Sequence, residues 1–347
     1  MIIPTGIACS VGGYAGDAIP SARLLASASG CLITHPNVMN GASLYWSDTC
    51  IQYVEGYSID RFAAGDIFLK PVRQQKIGLL LDGGLETDIY LRHLQVADGC
   101  RASLGLNIGP IVKTDVPLEV SLGKGLSGAS WGVIKNPEAL IKAGEKLKDL
   151  GATAIAVISR FPEDPSSKVL KSYRLGQGVD ALAGAEAVIS HLLVKHLSIP
   201  CAHSPALSPL PVEHHLDPRV VAEELGYTFL PSVLVGLSRA PDLIEKVDID
   251  QNYNFKMSSS ELIKVDDLGA VIAPEGALGG EAVLACVERN IPLIAVSNPG
   301  ILNVTAQSLG IENVIHAENY LEAAGLVLAL REGINIDSLN RPIQCLE

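Results

Sequence analysis

Residues 77–94 read IGLLLDGGLETDIYLRHL. Ile77–Leu81 run without polar alternation into Asp82, Gly83 and Gly84, and Glu86 and Asp88 then open a stretch with helical spacing. An uninterrupted apolar strand is one covered on both faces, and acids in a first helical turn complement the helix dipole. The unit is strand, tight turn, helix, and it recurs. Ala154–Ile158, Ala270–Ala273 and Leu293–Val296 read as further strands, and Asp17–Ser29, Glu86–Gly105, Pro137–Leu150, Ala185–His196, Glu281–Arg289 and Tyr320–Arg331 as helices. This alternation predicts an α/β fold, with mostly parallel sheets, helices on both faces, Rossmann-like βαβ units and right-handed crossovers. Residues 1–125, 126–262 and 263–347 read as N-terminal, middle and C-terminal lobes, the last able to pack as one unit with the first. The polar stretch Glu245–Glu261 reads as a linker or loop.

Composition narrows the function. The 347 residues carry 26 Lys+Arg against 38 Asp+Glu, a net charge of −12, with 48% hydrophobic and 18% charged residues. That balance excludes intrinsic disorder. An acidic chain with 5% aromatics lacks the basic footprint and stacking platforms of nucleic-acid binders. The start, MIIPTGIACS, has no basic n-region, and apolar runs such as Ala323–Leu330 are too short to cross a bilayer. The expected setting is soluble and cytoplasmic, with no membrane partner. Seven cysteines without a CxxC pair indicate neither a disulfide framework nor a zinc ribbon. Apolar, Ala-rich helices need cover, which is compatible with a homo-oligomer.

Three stretches share a layout of helix, short strand and polar-Pro turn, a weak internal repeat. They end at His35-Pro36-Asn37, at His203-Ser204-Pro205 and at Ser297-Asn298-Pro299. If the turns occupy equivalent strand ends, His35, His203 and Asn298 face one cleft, because ligands of open α/β sheets bind at the carboxyl ends of strands. Two Gly-rich turns precede helices, one holding Ser10, Gly12 and Gly13, the other Glu275, Gly279 and Gly280. Glycine lets backbone approach a ligand, and a helix N-terminus offers free N–H groups to an anion. The competing reading is a βα turn that needs small residues for packing, with Asp17 and Glu281 capping the helices themselves. Neither turn is a GxGxxG fingerprint or a P-loop, so the residues name no cofactor.

Four residues are candidates for chemistry. Asp82 ends a strand where carboxylates point into the cleft, while Glu86 and Asp88 are helix-opening acids. His35 and His203 read as strand-end imidazoles beside proline turns, suited to acid, base or ligand roles. Cys9 precedes the first Gly-rich turn, where a helix N-terminus lowers a thiol pKa, and Cys201 lies two residues before His203. A metal site of Asp82, His35 and His203 has no local spacing behind it. Asn37 and Ser297 join Ser10, Gly12, Gly13, Glu275, Gly279, Gly280 and Asn298 as candidate ligand contacts.

The segments PTGIACSVGGYAGDAIPSARLLA, THPNVMNGA, GLLLDGGLETDIYLRHL and APEGALGGEAVLACVERNIPLIAVSNPG together resemble a domain-of-unknown-function family found largely in cyanobacteria. The resemblance spans nearly the whole chain and implies a bacterial setting, but no activity and no catalytic residues. The leading expectation is an enzyme acting on a small, anionic metabolite by acid–base or thiol chemistry, of isomerase/racemase or hydrolase type. The alternatives are a non-catalytic nucleotide- or metabolite-binding sensor and an assembly protein.

Overall fold

The computed structural model describes residues 1–3, 18–39, 48–126, 130–163, 168–178, 180–209, 212–224, 229–247, 261–297, 302–339, 341–343 and 345. Among them, the chain forms two parallel sheets and two small antiparallel pairs. The first sheet contains β1 (Ile2–Ile3), β2 (Leu32–Thr34) and β3 (Ile51–Tyr53) from the start of the chain. The second contains β5 (Ile77–Leu81), β6 (Ile108–Lys113), β9 (Ala154–Arg160) and β10 (Cys201–Ala206). The antiparallel pairs join β4 (Ile67–Lys70) to β11 (Asp242–Glu245), and β7 (Val120–Lys124) to β8 (Ser130–Ile134). The chain then returns to the first sheet with β12 (Val271–Pro274), β13 (Leu293–Val296) and β14 (Val314–Ala317). Its order is β14-β13-β12-β1-β2-β3, and Ile2 of β1 lies beside Val271 of β12. The second sheet runs β10-β9-β5-β6.

The helices follow the strands as the alternation predicts. They are α1 (Ile19–Ser29), α2 (Pro36–Met39), α3 (Gly56–Ala64), α4 (Thr87–Leu104), α5 (Pro137–Asp149), α6 (Lys168–Arg174), α7 (Ala183–Leu197), α8 (Pro218–Glu224), α9 (Phe229–Leu237), α10 (Glu281–Glu288), α11 (Ala306–Leu309) and α12 (Tyr320–Arg331). The strands are apolar throughout because successive residues serve different cores. Ile272 joins a core shared by both sheets, with Leu79, Ile158 and Ala202 from the second sheet and Val233 and Leu234 of α9. Val271 and Ala273 point the other way, against Phe62 of α3 and Val283 of α10. On the far face of the second sheet Leu80, Ile155 and Val157 pack against Leu140 and Leu147 of α5 and Ile189 and Leu193 of α7. Because α3 also packs on α7, the carboxyl ends of β2 and β3 meet the helical cover of β10.

Three expectations change. The 125/126 boundary is not a division of the sheet, since β5 pairs with β9 across it, whereas β12–β14 complete the sheet that β1–β3 begin. His203 and Pro205 lie inside β10 rather than in a turn after it. An edge strand tolerates the missing N–H of Pro205, and β10 is the edge of its sheet. The three repeat-like stretches are split between the sheets: β2 and β13 belong to the first, β10 to the second. The linker expected at 245–261 falls mostly outside the described residues, and the helix expected to start at Asp17 is described from Ile19.

Candidate functional site

The site is built where α3 meets α7. His35 follows β2 directly, and its Nδ1 accepts the Asn37 backbone N–H at 3.1 Å. That bond places the ring proton on Nε2 in the neutral form. Burial, then the neighbouring His203 and His191, depress the His35 pKa to about 3. Glu55 caps α3, its Oε2 accepting from Tyr57 N–H at 3.0 Å, while its Oε1 lies 2.9 Å from Nε2 of His191 on α7. Burial opposes the charged form of His191, but the Glu55 hydrogen bond and charge, with Asp60 behind it, raise its pKa. A Cβ on Gly56 would sit 3.0 Å from Nε2 of His191 and 3.3 Å from Nε2 of His35. The two rings therefore converge over the one residue of that turn without a side chain.

On the same helix, Ser190 beside His191 and Glu186 one turn before it face β10. His203 lies between them, Nδ1 at 2.5 Å from Ser190 Oγ and Nε2 at 3.3 Å from Glu186 Oε2. With the carboxylate on Nε2, that nitrogen donates and Nδ1 accepts from the hydroxyl. All three residues are buried. Asp180, before α7, accepts from the Leu182 N–H at 2.8 Å. Burial and the Glu186 charge push its carboxyl up to about 7, against the Leu182 N–H and His203. Asp60 is likewise raised to about 6, by burial and by Glu281. One cluster thus holds a neutral imidazole, an imidazole biased towards imidazolium and a carboxyl that exchanges its proton near neutrality.

The structure brings His35, with Asn37 beside it, and His203 together, and places Asp82, Glu275, Gly279, Gly280 and Ser297 elsewhere. Asp82 is 1% exposed. Its carboxylate accepts from Gly84 N–H (2.8 Å), Leu118 N–H (2.9 Å) and Arg160 N–H (3.1 Å), so it ties the loops at the carboxyl edge of the second sheet. Beside it Arg160 grips Glu86 through Nε at 2.9 Å and Nη2 at 3.1 Å, which diverts Glu86 from capping α4. Glu275 and Ser297 end β12 and β13 of the first sheet, where Ser297 Oγ donates to Glu275 at 3.4 Å. In the turn before α10, Gly276 and Gly279 admit the chain's own segment: a Cβ on Gly279 would lie 2.9 Å from Val304, and Leu278 N–H donates to Val304 O at 3.0 Å. Gly280 is the N-cap of α10, yet the Ala282 N–H there already donates to Asp60 Oδ1 at 3.0 Å. Cys201 is buried and its thiol pKa is driven well above the usual range by burial and by Glu55, which removes the thiolate a nucleophile needs. Cys9, Ser10, Gly12, Gly13 and Asn298 lie outside the described residues. Among the described residues, no group of three or more His, Cys, Asp or Glu side chains is arranged to hold a metal ion.

Sequence reasoning missed Glu55, Asp180, Glu186, Ser190 and His191. The signal was present on α7, where Glu186, Ser190 and His191 interrupt an otherwise apolar AGAEAVISHLLVKHL. A carboxylate and a serine at i, i+4 on the buried face of such a helix need partners.

The profile of the family described as Protein of unknown function (DUF3326) matches residues 1–340. A relative from the cyanobacterium Synechococcus sp. (strain ATCC 27144 / PCC 6301 / SAUG 1402/1), named "Uncharacterized lipoprotein", is 50% identical over 341 residues, which is 98% of this chain and 92% of the relative. No solved structure matches the chain. No helix among the described residues is long and apolar enough to cross a membrane.

Proposed function

The chain belongs to the Protein of unknown function (DUF3326) family, and we propose from its own residues that it is an enzyme moving protons on a small metabolite at the His35–His191–His203 cluster. The observation that carries this reading is the separation of protonation states within one cluster. His35 is held neutral and His191 is biased to the cation. Titratable groups driven apart by their surroundings are how one site presents an acid and a base together. His203, whose Nδ1 accepts from Ser190 Oγ, fits the base that receives a proton through that hydroxyl, the His191 imidazolium beside Glu55 fits the acid, and the neutral His35 Nε2–H fits a hydrogen-bond donor to the charge that develops. Ser190 is 1% exposed within a helix, which favours isomerisation or racemisation over attack by its hydroxyl on an acyl group.

The test is proton exchange. Candidate metabolites (amino acids, sugar phosphates, hydroxy acids) are incubated with the protein in deuterated water and followed by NMR. Deuterium enters a carbon position of one of them, and His203→Asn and His35→Asn each slow the exchange at least about 100-fold. Exchange that neither substitution changes refutes the assignment. The burial of His35 and His203 favours a second reading, a metabolite sensor. A ligand that raises the melting temperature and never exchanges a proton establishes that alternative.

For the setting we infer the cytoplasm, with a small molecule rather than nucleic acid as partner and a homo-oligomer as the assembly. The name of the Synechococcus relative supports the opposite, a lipid-held protein. The intact mass of the native protein decides: an added acyl mass on a cysteine removes the cytoplasmic assignment.

A further inference from the structure

We propose that a protonated amine binds beneath the N-terminal half of α7, held between the Asp180 and Glu186 carboxyl groups with the Ser159 hydroxyl completing its hydrogen bonds. This names the substrate class for the site above and rests on that acid–base reading. Strand register brings Ser159 to this face. In the parallel pair β9–β10, His203 lies beside Val157 and Pro205 beside Ser159. Side chains two apart on a strand share a face, so Ser159 faces the same way as Val157, towards α5 and α7, as His203 does.

Ser159 is 0% exposed, and its Oγ has no hydrogen-bond partner among the described residues. A buried hydroxyl without a partner costs about 1–3 kcal/mol, and a ligand donor or acceptor would supply what it lacks. The same place holds two carboxyl groups that repel each other, with His203 opposing that repulsion. Shielding from water and the Glu186 charge keep the proton on Asp180 unless a cation arrives. An ammonium group has three donors and no acceptor, which matches two carboxylates and a hydroxyl. An anionic ligand would add to the repulsion. Ser159 lies beside Pro205, two residues along β10 from His203 and on the same face, so the carbon that bears the amine would lie on the His203 side of it.

The probes are putrescine, ethanolamine and L-ornithine, set against the amine-free butane-1,4-diol and succinate, in thermal melts of the full chain at pH 7. At least one amine raises the melting temperature by about 2 °C or more at saturation, and the diol and succinate do not. The shift disappears in Asp180→Asn and in Glu186→Gln. Asp180→Asn without ligand melts no lower than the native chain, because it removes the repulsion and keeps an acceptor for the Leu182 N–H, so lost binding is not lost folding. Absence of a shift with every amine overturns the inference, as does a shift that survives in the Asp180→Asn, Glu186→Gln double variant. If succinate or the diol shifts the melt instead and His203→Asn abolishes that shift, the amine is wrong and the acid–base site stands. If proton exchange also ignores His35→Asn and His203→Asn, both fail.

Discussion

At the scale of single residues, two carboxylates show how burial and hydrogen bonding assign different work to the same group. Asp82 accepts three backbone N–H groups, whereas Asp180 accepts one and faces a second carboxylate. Asp82→Ala leaves three backbone donors, one buried and two part-buried, without acceptors and destabilises by about 3 kcal/mol, measured by urea unfolding. A loss under about 1 kcal/mol would show that water replaces the carboxylate. Only the position of Asp82 at a strand end was legible. Its donors Leu118 and Arg160 lie 36 and 78 residues away, and local spacing carries no trace of them. His35 predicts a pH dependence. Its pKa is about 3 in the folded chain against 6.5 ordinarily. Between those values the unfolded chain holds a proton that the folded chain lacks, so stability is full above pH 6.5 and falls with acidification. Asp180 acts with the opposite sign: the folded chain keeps its proton up to about pH 7. Comparing the native chain with His35→Asn cancels that contribution. From pH 6.5 to 4.5 the native chain loses about 2.3 kcal/mol more than the variant, and equal losses by urea titration at the two pH values would place His35 in contact with water.

At the scale of elements, the position of α7 is set by close approach to the β7–β8 hairpin. Gly184 N–H donates to Ser130 Oγ at 3.1 Å, and a Cβ on Gly184 would meet the backbone of Ser130 and Trp131. A Cβ on Gly132 would meet Ala185 in turn. Gly184→Ala therefore pushes the first turn of α7 outward and carries Glu186 with it. The expected cost is about 1–3 kcal/mol, with a loss of proton exchange or ligand shift beyond what the folded fraction explains. Gly325→Ala is the control: it lies within α12 with nothing near its would-be Cβ and stabilises by up to about 1 kcal/mol. Equal behaviour of the two variants would remove the hairpin from the control of α7. The six helices expected from the sequence were legible to within about two residues because their periodicity and caps are local, whereas α3 and α9 were among those not read. The hairpin was not: VSLGK and SWGVI mix Gly, Ser and Lys with apolar residues and are too short to announce a strand pair.

At the scale of the molecule, both sheets contribute to one core, in which Ile272 and Ile294 of the first join Leu79, Ala156 and Ala202 of the second. Unfolding is then a single transition, with far-UV circular dichroism and tryptophan fluorescence coinciding in urea. Leu79→Ala shifts the whole curve by about 2–5 kcal/mol rather than releasing the second sheet alone. Two separated transitions would show that the sheets fold independently. That the sheets are parallel was legible from continuous apolar strands such as Val271–Pro274. Which strands share a sheet was not, because β1 chooses β12 through contacts that no short window of residues contains.

That pairing has a consequence in time. Ile2 and Ile3 leave the ribosome well before their neighbour Val271, which emerges 268 residues after Ile3. At roughly 5–20 residues per second, translation keeps them apart for about 13–54 s. Throughout that interval one edge of the nascent β1 has its hydrogen-bonding groups unclaimed, open to any passing strand. Faster or slower synthesis of the stretch between the halves should therefore change the yield of native protein without altering a single native contact.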